Sequence, residues 1–193
     1  MPLRRCPLRR NKRMPTIRTA TAADAAALAA IYRPYVEQTD VTFELTAPDA
    51  AEFCRRMKKT LLRHPYLVAE EDGIILGYAY ASPLIDRRAA DAAAEVSSYV
   101  HWDARGKGVG KALLQALEQH LKAQNVGAVY ACITCPNPQS EAFYGKLGYA
   151  PCARFHRCAY KFGAWKDVVW MEKHILPHDG APKAFVPFAQ LQD

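Results

Sequence analysis

The sequence predicts an α/β (α+β) fold, a mixed and mostly antiparallel sheet flanked by helices. Three observations carry this. Asp72-Gly73 separates two apolar runs, the strongest short hairpin signal, so residues 66–70 and 74–82 read as antiparallel strands. Residues 95–121 read as a strand, a glycine-rich turn and a helix, with Val109, Leu113, Leu114, Leu117 and Leu121 at helical spacing. The whole chain then gives the order β-α-α-β-β-β-α-β-α-β-β, which buries its apolar faces as helices packed on a sheet.

Each element has its own warrant. Residues 16–20 (TIRTA) alternate as a short first strand. Thr21 or Asp24 caps the helix that follows, whose inner face carries Leu28, Ile31, Tyr32, Tyr35 and Val36. Pro34 predicts a kink or break there, with a loop over residues 35–44. A second helix is expected over 48–63, with Phe53, Met57, Leu61 and Leu62 inward and Pro65 ending it. Residues 84–94 form a loop carrying Asp86, Arg87, Arg88 and Asp91. After the central helix, Asn125 and Gly127 turn the chain into a strand over 128–133. A short helix over 140–147 follows, closed by Gly148. Residues 149–158 and 168–174 are the last two strands, and 176–193, with three prolines, is a partly extended tail.

Composition bounds the function. The 193 residues suffice for one domain with a real core, and no apolar run approaches the roughly 20 residues of a membrane span. No apolar stretch follows the basic start as in a signal peptide, so a cytoplasmic protein is the default. The net charge of +7 is unevenly placed. Residues 1–13 hold six of the 26 basic groups and none of the 19 acidic ones, leaving 20 against 19 in the rest. Residues 1–15 are therefore expected to be a disordered basic arm, with Met14 a candidate true start, 16–176 the domain and 177–193 the tail. A nucleic-acid role would have to rest on the arm alone, and none is expected. Of six cysteines, Cys132 and Cys135 form a lone C-x-x-C without the second pair a zinc site wants. Buried reduced thiols and no metal are expected.

The glycine turn is an anion site. Its bare N–H groups and the positive end of the helix dipole converge on one spot, and Arg105, Lys107 and Lys111 add charge. It lacks the G-x-x-x-x-G-K-[ST] of nucleotide-phosphate loops, and Gly106, Gly108 and Gly110 lack the dinucleotide spacing. What fits is R-x-x-G-x-G between strand and helix.

At this point the chain resembles the GNAT superfamily of N-acetyltransferases over residues 16–175. Residues 67–73 (LVAEEDG) followed by 77–83 (GYAYASP) look like its phosphinothricin acetyltransferase branch. So do residues 160–168 (YKFGAWKDV), close to that branch's Y-K-x-G-x-W-x-D-V. Residues 137–148 (NPQSEAFYGKLG) resemble the short helix whose Asn contacts CoA. The resemblance implies the GNAT acyl-CoA N-acyltransferase fold, with acetyl-CoA as co-substrate, a small amino acid or analogue as acceptor, and a homodimer whose interface the aromatic C-terminal strands supply.

It also implies roles. Glu95 would be the base that deprotonates the ammonium, its pKa lifted if the sheet buries it. Ser98, Tyr99 and Val100 would bind the pantetheine arm, with free N–H groups polarising the thioester. Arg105, Gly106, Lys107, Gly108, Val109 and Gly110 would take the pyrophosphate, and Asn137 the CoA arm. Tyr144 would be the acid for the leaving thiolate, where the branch often has His. Tyr35, Thr42, Phe43, Tyr80 and Arg87 would line the acceptor pocket, with Arg87 on an α-carboxylate. Ala90 and Ala92 stand where the branch usually has aromatics, which implies a wider or reshaped pocket. Phosphinothricin, methionine sulfone, methionine sulfoximine and other amino acids all stay open. Trp165 and Asp167 would fix a turn. The rivals are a GNAT acting on a protein N-terminus or polyamine, and a non-catalytic acyl-CoA-binding module.

Overall fold

The computed structural model describes residues 14–191, so the basic arm at 1–13 lies outside the described residues. The elements are β1 (Thr16–Thr19), α1 (Ala25–Gln38), α2 (Ala50–Leu61), β2 (Tyr66–Glu71), β3 (Ile74–Pro83), β4 (Ala93–Val100), α3 (Val109–Ala123), β5 (Ala128–Cys135), α4 (Pro138–Lys146), β6 (Ala150–Lys161) and β7 (Ala164–His174). They form one seven-stranded sheet in the order β1-β2-β3-β4-β5-β7-β6, mixed and mostly antiparallel. One core lies under α3, where Leu113, Leu114, Leu117 and Leu121 meet Val96, Val129 and Met171. A second lies under α1 and α2, where Leu28, Val36, Phe53 and Met57 meet Val68 and Tyr78. Among the described residues no helix is long and apolar enough to cross a membrane.

The only parallel pair among the described residues matters most. β4 and β5 pair at just three positions, from Ala93 opposite Ala128 to Glu95 opposite Tyr130. Beyond Glu95 the two strands are no longer partners, although β4 stays paired with β3 up to Val100 opposite Gly77. The sheet is therefore split down its middle, a feature that the residue pattern of neither strand displays.

Several expectations need correction. Pro34 does not break α1, which runs on to Gln38, so the expected loop loses its first four residues. The carbonyl that Pro34 leaves without an N–H belongs to Ala30, which is exposed and open to water, while buried Tyr35 and Val36 hold the last turn down. Leu62 is 69% exposed because α2 ends one residue before it. The last two strands are longer than expected, because Phe162 and Gly163, both at positive φ, make a tight two-residue hairpin between them. Asp167 fixes a bulge rather than that turn, accepting from the Arg157 N–H and lying 2.9 Å from the His156 ring in the interruption between Phe155 and Ala159. Of the five described cysteines, all unbridged, only Cys135 is buried, and Cys132, Cys152 and Cys158 are exposed. The tail does not hang free. Phe188 is buried, its N–H donates to the Arg63 carbonyl, and the Gln124 carboxamide donates to the carbonyls of Arg63 and Val186.

Candidate active site

The split in the sheet opens into a cleft of about 1030 Å³. Ser98, Tyr99 and Val100 form one wall, Cys132, Ile133 and Thr134 the other, and α3 and α4 close the far end. This is ample for a drug-sized ligand or larger.

At the loop end the backbone does the work. Gly106 and Gly108 have φ of +72° and +86°, a conformation that side-chain-bearing residues adopt only with strain. It turns the chain so that α3 starts at Val109 with its first N–H groups free and facing the cleft. Gly110 is small for a different reason. A Cβ there would lie 3.3 Å from the Phe143 ring, so glycine lets α4 close against the start of α3. Arg105, Gly106, Gly108, Val109 and Gly110 all line the cleft, as does Lys111. Lys107 does not: it is exposed on the outer side of the turn. The Arg105 guanidinium lies 3.3 Å over the Trp102 ring and has no carboxylate partner among the described residues, so its charge is oriented and available to an anion. The free N–H groups, the helix end and this cation fit a diphosphate.

Asn137 reaches the cleft, but its side-chain oxygen accepts from the Ser140 N–H and caps α4. Only its amide N–H groups remain for a ligand. Tyr144 is fully buried against the cleft, with Ser98 as hydrogen-bond partner, and burial pushes its hydroxyl up to about 12. Cys132 opens on the same space, yet desolvation pushes its thiol up to about 12 as well.

Glu95 sits at the apex, where β4 and β5 part. Desolvation alone raises its carboxyl above the ordinary carboxylate range. The hydroxyls of Tyr144 and Tyr80 and the thiol of Cys132 all feel its charge. Among the described residues it has no counter-ion; it lines neither the cleft nor the second cavity described below and stands where the two strands separate, the kind of desolvated carboxylate that can take up a proton.

A second cavity, of about 550 Å³, lies on the β3 side of Glu95. Ser82, the β3 residue opposite Glu95, lines it. Tyr66, Tyr78 and Tyr80 form a stacked aromatic wall, with Tyr66 and Tyr80 centroids 5.0 Å apart. The rim carries Arg55, Arg56, Lys59 and Arg63 against Glu44 and Asp86. Arg56 is already held by Glu44 at 2.6 Å and Glu52 at 2.7 Å, whereas Lys59 has no ion pair among the described residues.

The expected acceptor residues do not come together. Tyr80 lines the second cavity. Tyr35 lines the first, with its hydroxyl donating to the Val100 carbonyl. Thr42 is buried, its hydroxyl 2.5 Å from that of Tyr32 and its carbonyl accepting from Lys161. Phe43 is on the surface at 37% exposure and lines neither cavity. Arg87 is exposed, donates to the Asp86 carbonyl beside it and also lines neither. Sequence reasoning missed Trp102, whose position just before the glycine turn was the available signal. It also missed the rim of α2, whose apolar periodicity drew attention to the opposite face.

Comparison with known proteins agrees with this geometry. The acetyltransferase (GNAT) domain family matches residues 17–170. Phosphinothricin N-acetyltransferase of Streptomyces viridochromogenes is 34% identical over 182 residues, spanning 94% of this chain and 98% of that one. The L-methionine sulfoximine/L-methionine sulfone acetyltransferase of Salmonella typhimurium is 32% identical, spanning 88% and 99%. The crystal structure of a GNAT superfamily phosphinothricin acetyltransferase from Sinorhizobium meliloti in complex with AcCoA superposes with a TM-score of 0.86 at 33% identity, over 91% of this chain and 97% of that one. The chain belongs to the GNAT acetyltransferases. It is an N-acetyltransferase whose acetyl donor is acetyl-CoA, and its relatives include the phosphinothricin branch that the motifs at residues 67–83 and 160–168 resemble.

Proposed function

We propose that this enzyme acetylates the α-amine of a small amino acid or analogue of the phosphinothricin, methionine sulfone or methionine sulfoximine type. One observation carries the reading: a desolvated Glu95 lies between a cleft shaped for a diphosphate-bearing thioester and a second cavity with an aromatic wall and a cationic rim. The acetyl group arrives along β4. The acceptor enters from the Tyr80 side, its carboxylate drawn by Lys59, since Arg55, Arg56 and Arg63 are already paired with Glu52, Glu44 and Asp91, and its α-ammonium led to Glu95. Phe43 and Arg87 take no direct part in this arrangement.

Glu95 removes a proton from the ammonium, and the freed amine attacks the thioester carbonyl. The cleft-facing N–H groups of β4 stabilise the resulting oxyanion. The C–S bond breaks and the sulfur leaves as thiolate. A phenol near 12 stands above a thiol near 8.5, so full proton transfer from Tyr144 would run uphill by about 5 kcal/mol. Tyr144 therefore acts as a hydrogen-bond donor to the thiolate; the second proton of the attacking nitrogen, which must leave as the amide forms, passes to that thiolate directly or through water, and the proton held by Glu95 goes to solvent.

A homodimer in the cytoplasm completes the proposal. The hairpin of β6 and β7 leaves Phe155, Tyr160, Phe162 and Trp165 between 53% and 61% exposed, an aromatic surface of the kind that self-association covers. Residues 16–176 form the catalytic domain and 177–193 its tail, whose residues Val186 and Phe188 bond back to the domain.

The test is mass spectrometry of product from acetyl-CoA and one amine at a time: phosphinothricin, methionine sulfone, methionine sulfoximine, the common amino acids, spermidine and an alanine-starting peptide. An acetylated amino acid, absent with Glu95→Gln, is expected. Product from spermidine or the peptide alone would overturn the acceptor class.

A further inference from the structure

Antiparallel pairing makes the backbone groups of alternate residues point to opposite sides of a strand. The His101 N–H donates to Leu76 in β3 at 2.8 Å, so the N–H and C=O of the preceding residue, Val100, point the other way, into the cleft. Ser98 shares that parity. No strand pairs with β4 here, because β5 stops being its partner at Tyr130. Yet the Val100 groups are not open. The Tyr35 hydroxyl donates to the Val100 carbonyl at 2.6 Å and accepts from the Val100 N–H at 3.2 Å. One phenol thus satisfies both backbone groups of one residue, which is what a neighbouring strand would otherwise do.

The ring is held for this. Tyr35 stacks on Trp102 at 5.4 Å and meets Tyr99 edge-on at 5.1 Å. The Arg105 guanidinium sits 4.9 Å above it. Tyr35 therefore lies between the glycine loop and the apex, on the path that a ligand held at both ends must follow.

We propose that Tyr35 is a positioning residue that stands in for the pantetheine arm of acetyl-CoA on Val100 and is displaced when that arm binds. The proposal rests on the acetyl-CoA reading of the cleft. The arm carries two amides, each with one N–H and one C=O. An extended chain of that kind adds to an unpaired strand edge as another strand would. An arm amide bonded to Val100 through either its N–H or its C=O needs an atom that the Tyr35 hydroxyl holds, so binding exchanges one partner for the other. The exchange keeps the split strand satisfied in both states and sets the affinity for the donor. It also moves the ring that Arg105 overlies, so the loop end and the reacting end of the cleft respond together.

Tyr35→Phe keeps the ring contacts and removes the competing hydroxyl. Calorimetric titration of the variant and the wild type with CoA and with adenosine 3′,5′-bisphosphate, which lacks the arm, separates the effects. CoA is expected to bind the variant about three- to tenfold more tightly, the net worth of a neutral hydrogen bond, with the bisphosphate unchanged within about twofold. Equal or weaker CoA binding to the variant, or an equal change for both ligands, would overturn the proposal. Failure of the wild type to bind either ligand would instead sink the acetyl-CoA reading and the proposal with it. Should Tyr35→Phe not fold, a crystal structure of the wild type with CoA decides. A Tyr35 hydroxyl still bonded to both Val100 groups overturns the idea, and one that has left them supports it.

Discussion

The two cavities flanking Glu95 are built on different principles. The donor cleft is made largely of backbone: N–H groups of a glycine loop, the free edge of β4 and the start of α3. The acceptor cavity is made of side chains, with a tyrosine wall from β2 and β3 and a charged rim from α2. Backbone recognises what is common to every CoA thioester and tolerates drift in side chains. Side chains recognise what is particular to one acceptor. Cofactor use in such an enzyme should thus be robust to substitution, while acceptor choice should be easy to change.

The largest expected effect falls on the residue between the two. Glu95→Gln should lower kcat by about 100- to 10,000-fold, the usual worth of a general base, while CoA binding measured by calorimetry stays unchanged. The wild-type rate has a matching pH signature. Glu95 must be ionised to act, and its folded pKa is raised, so activity should fall as pH drops through a value above that of an ordinary glutamate. A stopped-time product assay across pH checks this. A limb at the ordinary value would show that Glu95 is not the base.

A smaller effect isolates the donor side. Gly108→Val puts a β-branched residue at φ +86° in a spot with no atom within 4 Å, so strain and intrusion on the ligand are its only consequences. The strain is about 1–2 kcal/mol, and CoA affinity by calorimetry should fall roughly tenfold or more while the KM for the acceptor holds. The smallest effect isolates the acceptor side. Lys59→Met removes an exposed cation from the rim, worth a few tenths to about 1 kcal/mol, and should raise the acceptor KM severalfold without changing that for acetyl-CoA. If both KM values rise together, the two cavities are not separate sites and the comparison fails.

Legibility followed the same division. Residues 105–110 and 137–148 are contiguous stretches in which composition and spacing encode local geometry, and the turn ahead of α3 and the short helix α4 are readable from them. The side of the turn that Lys107 occupies depends on how the turn docks, which spacing does not record. The acceptor side draws on Tyr32, Glu44, α2 and β3, which only the packing of α1 and α2 onto the sheet brings together. No spacing rule links them, so Phe43 and Arg87 were placed there by analogy of position and Lys59 was overlooked.

The sequence by itself determined the order of elements, the hairpin at Asp72-Gly73, the glycine turn ahead of α3 and the place of Glu95 in β4. Each depends on local preference: turn chemistry, apolar periodicity, or a charged residue in an apolar strand. The tertiary structure alone decided where β4 parts from β5, that Tyr35 occupies the backbone of Val100, and that the tail seals against Arg63 and Gln124. These are relations between segments far apart in the chain, such as Tyr35 with Val100 and Gln124 with Val186, set by which surfaces meet once the sheet is formed, and no local pattern records them.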